Sequence, residues 1–400
     1  MSPCLLRSVV VVVAHRSPGR NHQSGWSVLH SVMSLLFFTS LLLTLFVAAT
    51  IPNNNNIFVI GHPVMIRGRV GEGREERIKQ EHEFYSSSSS STRRLTRTAT
   101  TTTITALNNR PIIGILAQPT SNKEHGESYI AASYVKWIEG SGARVVPIPY
   151  DLPQETLQYL FQSLNGLLFP GGGTNIKHSK YADVLKFFFD KVIEANARGD
   201  YFPLWGTCLG FESLNILAAE NNEVVNYGFD SEDLSLSLKF VSDFRNSRLF
   251  GSAPNEILEI LAQQNVTMNN HMAGVTPFDY ERNEKLRKFF KILSLNADRK
   301  GKTFVSTIES FNFPIYGTQY HPEKVYEFNY EVIDHSFDSL IANEYFGQFF
   351  VNEARKSQRK FPSFEEEEKY LIYNFSPKFT FPRISKDFMQ IYYFNATSTI

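Results

Sequence analysis

The sequence predicts an α/β fold, an open and mostly parallel sheet with helices on both faces. Two observations carry this. From Pro111 onward, short apolar runs alternate with stretches of helical period. Glycine or proline punctuates most of the junctions. Strands that alternate with single helices build parallel βαβ units. The apolar fraction of 42% supplies a sizeable core for such a sheet.

The elements follow in order. "IIGILAQ" (112–118) is a short apolar run and reads as a buried strand. The segment 128–142 carries apolar residues at helical spacing and stops at glycine. Residues 143–150 read as a second strand and 153–164 as a second helix. "NGLLFPGGG" (165–173) is a strand that ends in a glycine turn, and 181–199 is a long helix closed by glycine. Residues 202–220 read as strand, turn and helix. After Asn221 the order loosens. Segments 303–310 and 313–320 read as sheet-edge strands and 338–356 as a closing helix. A charged stretch then leads to an aromatic-rich end.

The first 109 residues differ in kind. Residues 34–49 are apolar and uncharged, with Arg7, Arg16 and Arg20 upstream and Val47 and Ala49 suited to a cleavage site. Residues 1–50 are therefore expected to be a leader with a signal peptide. Cleavage would remove Cys4 and leave Cys208 as the mature chain's one thiol. Residues 51–109 carry polar, low-complexity tracts and read as a disordered linker. Asn265, Asn374 and Asn395 open Asn-X-Ser/Thr triplets, which such a leader would expose to glycosylation. Lysine plus arginine equals aspartate plus glutamate, which argues against nucleic acid as a partner.

Cys208 lies in "GTCLG", between a predicted strand and a predicted helix. A sharp turn there lifts one side chain above the sheet edge, the logic of a nucleophile elbow. Gly206 and Gly210 let the backbone turn and let substrate approach. The following helix is expected to lower the thiol pKa through its N-terminal dipole. The Leu209 N–H would face a tetrahedral oxyanion. Among ten histidines, His321 stands out. It follows a predicted strand, and Glu323 at i+2 is placed to hold the imidazole's tautomer. "FPGGGT" (169–174) lacks a Walker lysine and serves better as a second N–H donor to the oxyanion. No HExxH or CxxC is present, so neither a metal nor another cofactor is expected.

Together "PLWGTCLGFE", "FPGGG", "YGTQYHPEK" and "FFVNEARK" resemble the γ-glutamyl hydrolases, cysteine peptidases of the class I glutamine amidotransferase-like, flavodoxin-like architecture. The resemblance covers about residues 110–400, with a C-terminal extension from about 357. It implies Cys208 as nucleophile, His321 as proton carrier and Glu323 as a less critical third member. It implies Leu209 with Gly172 or Gly173 as oxyanion donors, and pocket positions for His271, Glu212 and Gln319. At His271 the family's "HKWS" departs to "HMAG". The implied substrate is a pteroyl poly-γ-glutamate, the implied compartment extracellular, lysosomal or vacuolar, with no stable membrane association after signal cleavage, and a homodimer is left open. A glutaminase acting on free glutamine and a secreted, non-catalytic binding protein remain the alternatives.

Overall fold

A computed structural model describes residues 106–121 and 123–395. The expected leader and residues 51–105 of the expected linker lie outside the described residues.

The chain runs β1 (Ile112–Pro119), β2 (Ser128–Ala131), α1 (Ala132–Gly140), β3 (Arg144–Pro149), α2 (Gln154–Ser163), β4 (Gly166–Phe169), α3 (Lys180–Ala197), β5 (Leu204–Thr207) and α4 (Leu209–Ala219). There follow β6 (Asn226–Leu236), β7 (Lys239–Phe240), α5 (Arg248–Gly251), α6 (Asn255–Gln263), β8 (Thr267–Gly274), α7 (Pro277–Arg282), α8 (Glu284–Phe289), β9 (Phe290–Ala297), β10 (Thr303–Ser310) and β11 (Ile315–Thr318). The chain closes with α9 (Phe337–Ala354), α10 (Phe364–Tyr370), β12 (Lys378–Phe379) and β13 (Gln390–Phe394).

The main sheet is ordered β3-β1-β4-β5-β11-β10-β9-β7. Its β3-β1-β4-β5-β11 part is parallel, and β10, β9 and β7 continue it antiparallel. The expected fold class therefore holds.

Period-two alternation along β1 explains the two covered faces. Ile112 and Leu116 enter one core with Leu160 of α2, Phe188 of α3 and Leu214 of α4. Ile113, Ile115 and Ala117 enter the other with Trp137 of α1 and Phe346 and Phe350 of α9. Each such large side chain, fully buried, contributes about 1.5–3 kcal/mol. Gly114 sits between them because a Cβ there would lie 2.6 Å from Ile148 Cδ1. Ser179 and Ser336 cap α3 and α9, each accepting a backbone N–H at 3.1 Å.

Three expectations need correction. Residues 128–131 form a strand, because they find antiparallel partners in both β1 and β13. Tertiary pairing overrides the helical spacing there. The strand at 315–318 is central, lying parallel to β5 and antiparallel to β10. β10 is likewise interior, between β11 and β9. The aromatic-rich end folds back onto the sheet, where β13 pairs with β2 and Phe394 enters the core.

Candidate active site

Adjacent parallel strands end at the same sheet edge, and here β4, β5 and β11 bring three loops together. β4 delivers Pro170–Gly173, β5 delivers Cys208, and β11 delivers Gln319–Glu323. Open α/β sheets place their sites at the carboxyl ends of the strands in this way.

Cys208 has φ 50° and ψ −106°, a strained conformation for a residue with a side chain. Neighbouring elements hold it there. Its N–H donates to Thr318 O at 2.8 Å, and its carbonyl accepts from Glu212 N at 2.8 Å. The flanking glycines also have a packing role. A Cβ on Gly210 would collide with the carbonyl oxygen of Phe169, and one on Gly206 would lie 2.7 Å from Gly210 O. Both let α4 seat tightly on the sheet.

His321 is 6% exposed and Glu323 fully buried. The imidazole Nδ1 donates to Glu323 Oε1 at 2.7 Å. Nε2 has no hydrogen-bond partner among the described residues. A Cβ on Gly171 would lie 2.6 Å from His321 Cε1 and 3.1 Å from Cys208 Cβ. Cys208 and His321 therefore both border the space beside Gly171, which a methyl group there would fill. Of the expected triad, His321 and Glu323 are in direct contact, and Cys208 lies beside them at the same sheet edge.

The glycine loop is held by residues that the sequence did not single out. Gln118 Nε2 donates to Gly171 O at 2.9 Å and to Pro170 O at 3.2 Å. Tyr134 Oη accepts the Gly171 N–H at 2.7 Å and lies 3.4 Å from His321 Nδ1. Gly172 and Gly173 line the same cavity as Cys208 and Leu209, a space of about 680 Å³.

The electrostatics reverse one expectation. Burial pushes the Cys208 thiol well above its ordinary range, and the Glu212 and Glu323 carboxylates push the same way. The Leu209 N–H and Lys324 pull down without prevailing. Cys208 then rests as the thiol. Burial likewise raises Glu212 to about 7, opposed by a hydrogen bond from Gln319 Nε2 at 3.1 Å. His271 lines the cavity, donates from Nδ1 to Ala273 O at 2.7 Å, and packs edge-on against Phe304. Burial lowers it to about 4, so it is neutral through the physiological range.

Two further features escaped sequence reasoning. Lys324, next to the His-Pro-Glu run, lines the cavity. So do Asp387 and Phe388 from the C-terminal extension, which no local motif marks. Among the described residues no group of histidine, cysteine and carboxylate side chains suits a metal ion.

A buried cysteine on a strand–helix elbow, opposite an acid-held imidazole on an open α/β sheet, has the architecture of a cysteine hydrolase. The model of the peptidase C26 family matches residues 111–323. Human γ-glutamyl hydrolase is 45% identical over 291 residues, covering 72% of this chain and 90% of the human one. γ-Glutamyl hydrolase B of Dictyostelium discoideum is 43% identical over 302 residues, covering 74% and 86%. γ-Glutamyl hydrolase 1 of Arabidopsis thaliana is 38% identical over 281 residues, covering 68% and 80%. The chain belongs to the peptidase C26 family.

Proposed function

We propose that this chain hydrolyses γ-glutamyl bonds through a Cys208 thioester, and that pteroyl poly-γ-glutamates are its substrates. Kinship with γ-glutamyl hydrolases of three kingdoms supports the bond type. One observation carries the mechanism. His321 Nδ1 is committed to Glu323 and its Nε2 has no partner among the described residues, while His321 and Cys208 both border the space beside Gly171.

The steps follow from that geometry. His321 Nε2 takes the thiol proton as sulfur attacks the γ-carbonyl carbon. The N–H groups of Leu209 and of Gly172 or Gly173 receive the oxyanion, each worth roughly 3 kcal/mol of barrier. The imidazolium gives its proton to the departing amine, and the thioester forms. Water then loses a proton to His321, attacks the thioester carbonyl and releases the γ-carboxylate and the thiol. A raised thiol pKa suits this cycle, because the proton is held by sulfur until substrate arrives. Glu323 keeps the proton on Nδ1 and leaves the Nε2 lone pair for sulfur.

The compartment belongs to the same proposal. A cleaved leader would deliver the chain to the secretory route, and Asn265 is its best sugar acceptor. Asn265 is exposed, whereas Asn374 Nδ2 already donates to the carbonyls of Glu368, Lys369 and Leu371. The triplet of Asn395 runs beyond the described residues.

Incubation with a pteroyl poly-γ-glutamate, beside free glutamine, tests the reading. Shortening of the γ-chain is expected. Deamidation of glutamine with the pteroyl chain left intact would favour the glutaminase instead.

A further inference from the structure

The cavity holds a buried cation that the mechanism above does not use. Lys324 is 1% exposed. Its ammonium donates to the backbone carbonyl of Asp387 at 2.9 Å. It lies 4.8 Å from the ring centroid of Phe388 and 5.1 Å from that of Tyr330. Among the described residues it forms no salt bridge. Buried acids lie near it, Glu327 close enough to feel its charge, but none forms an ion pair with it among the described residues. Glu323 accepts from His321, Glu327 from Met389 N at 2.7 Å, and the Asp387 carboxylate from the Tyr330 hydroxyl at 2.9 Å.

A lysine has three N–H donors, and one carbonyl fills one of them. Burying an ammonium without a carboxylate partner is costly, and cation–π contacts offset only part of that cost. The arrangement makes physical sense if an anion completes it. Every γ-linked glutamate carries such an anion, because its α-carboxylate stays free when the γ-carboxyl enters the amide bond. The other lysine lining the cavity, Lys177, is only partly buried and has Glu223 at 3.9 Å.

The geometry points to Lys324 as the anchor for a free α-carboxylate beside the scissile bond, completed by the Asp387–Phe388 wall of the C-terminal extension. This rests on the γ-glutamyl reading above. It gives the site a reason to prefer γ-linked over ordinary α-linked glutamate, whose α-carboxyl is consumed in the peptide bond.

The test compares γ-glutamyl-glutamate dipeptides that carry either a carboxylate or a carboxamide at one α-position or the other. At one position the unaltered protein should favour the carboxylate by about tenfold or more in kcat/KM, the scale of one charge-assisted hydrogen bond. Lys324→Met should bring that ratio close to one, and Lys324→Arg should keep part of it. Any effect of the substitution on the thiol slows both substrates alike and cancels in the ratio, as a purely structural role would. A ratio unchanged at both positions in Lys324→Met overturns the assignment. A second measurement needs no variant. Glutarate should slow iodoacetamide labelling of Cys208 in the unaltered protein, and glutaramide should not. Equal protection by the two overturns the anion site. If no dipeptide is cleaved while glutarate alone protects, the anion site stands and the γ-glutamyl reading falls.

Discussion

At the scale of single residues, the chemistry rests on Cys208 and His321, with Glu323 as the group that orients the ring. Cys208→Ala and His321→Ala are each expected to lower kcat/KM by about three orders of magnitude or more. Glu323→Ala should cost less than His321→Ala, because it makes and breaks no bond. Steady-state kinetics on the folded variants check both statements. Two buried titrating groups give a second prediction. Glu212 is raised from 4.5 to about 7, so between those values the folded chain binds a proton that the unfolded chain lacks. Stability then falls as pH rises through that window. His271 is lowered from 6.5 to about 4, so there the unfolded chain binds the extra proton and stability rises with pH. Relative to the unaltered protein, Glu212→Gln should gain stability from pH 4.5 to 7, and His271→Asn should lose it from pH 4 to 6.5. Each change is on the order of 3 kcal/mol by linkage. Denaturant titrations at several pH values measure it, and parallel curves for all three proteins would contradict the assignments. The triad was legible in the sequence because a glycine-flanked cysteine and a His-Pro-Glu run are local patterns. Lys324, Tyr134 and Gln118 were not, because each acts through contacts with residues more than 35 positions away. The thiol pKa was misjudged for a related reason. Sequence places the helix dipole at Cys208 but not the depth of burial that outweighs it.

At the scale of elements, the elbow depends on how closely α4 approaches β4. Gly210→Ala introduces a methyl group against the Phe169 carbonyl oxygen. Overpacking of this kind costs roughly 1–3 kcal/mol. The variant should melt earlier than the unaltered protein and lose activity, since relief requires the turn that carries Cys208 to move. An unchanged melting temperature with full activity would refute this role for the glycine. The βαβ run from β1 to α4 was legible because each strand and helix there is set by its own periodicity and its glycine or proline stops. What failed was pairing over long distances. β2 shares helical spacing with α1 but pairs with β13, whose sequence lies more than 250 residues away. β11 is too short for its own pattern to reveal that neighbours cover both its edges.

At the scale of the whole molecule, the sheet gathers one face of chemistry from strands β4, β5 and β11, and the C-terminal extension closes one side of it. Among the described residues no helix is long and apolar enough to cross a membrane. The proposed secretory route makes its own prediction. Protein from its native source should gain mobility on glycosidase treatment, with Asn265 the first site occupied, and its N-terminus should lie beyond residue 49. An unglycosylated chain that retains residues 34–49 would contradict that route without touching the chemistry. The central claim is hydrolysis of a γ-glutamyl bond through a Cys208 thioester. Mass spectrometry of products from a pteroyl penta-γ-glutamate, with the unaltered protein and Cys208→Ala side by side, tests it most directly. The account predicts shortened pteroyl chains and released glutamate or γ-oligoglutamate from the unaltered protein, and an intact substrate with the folded variant. An intact substrate with both, or equal shortening by both, would contradict it.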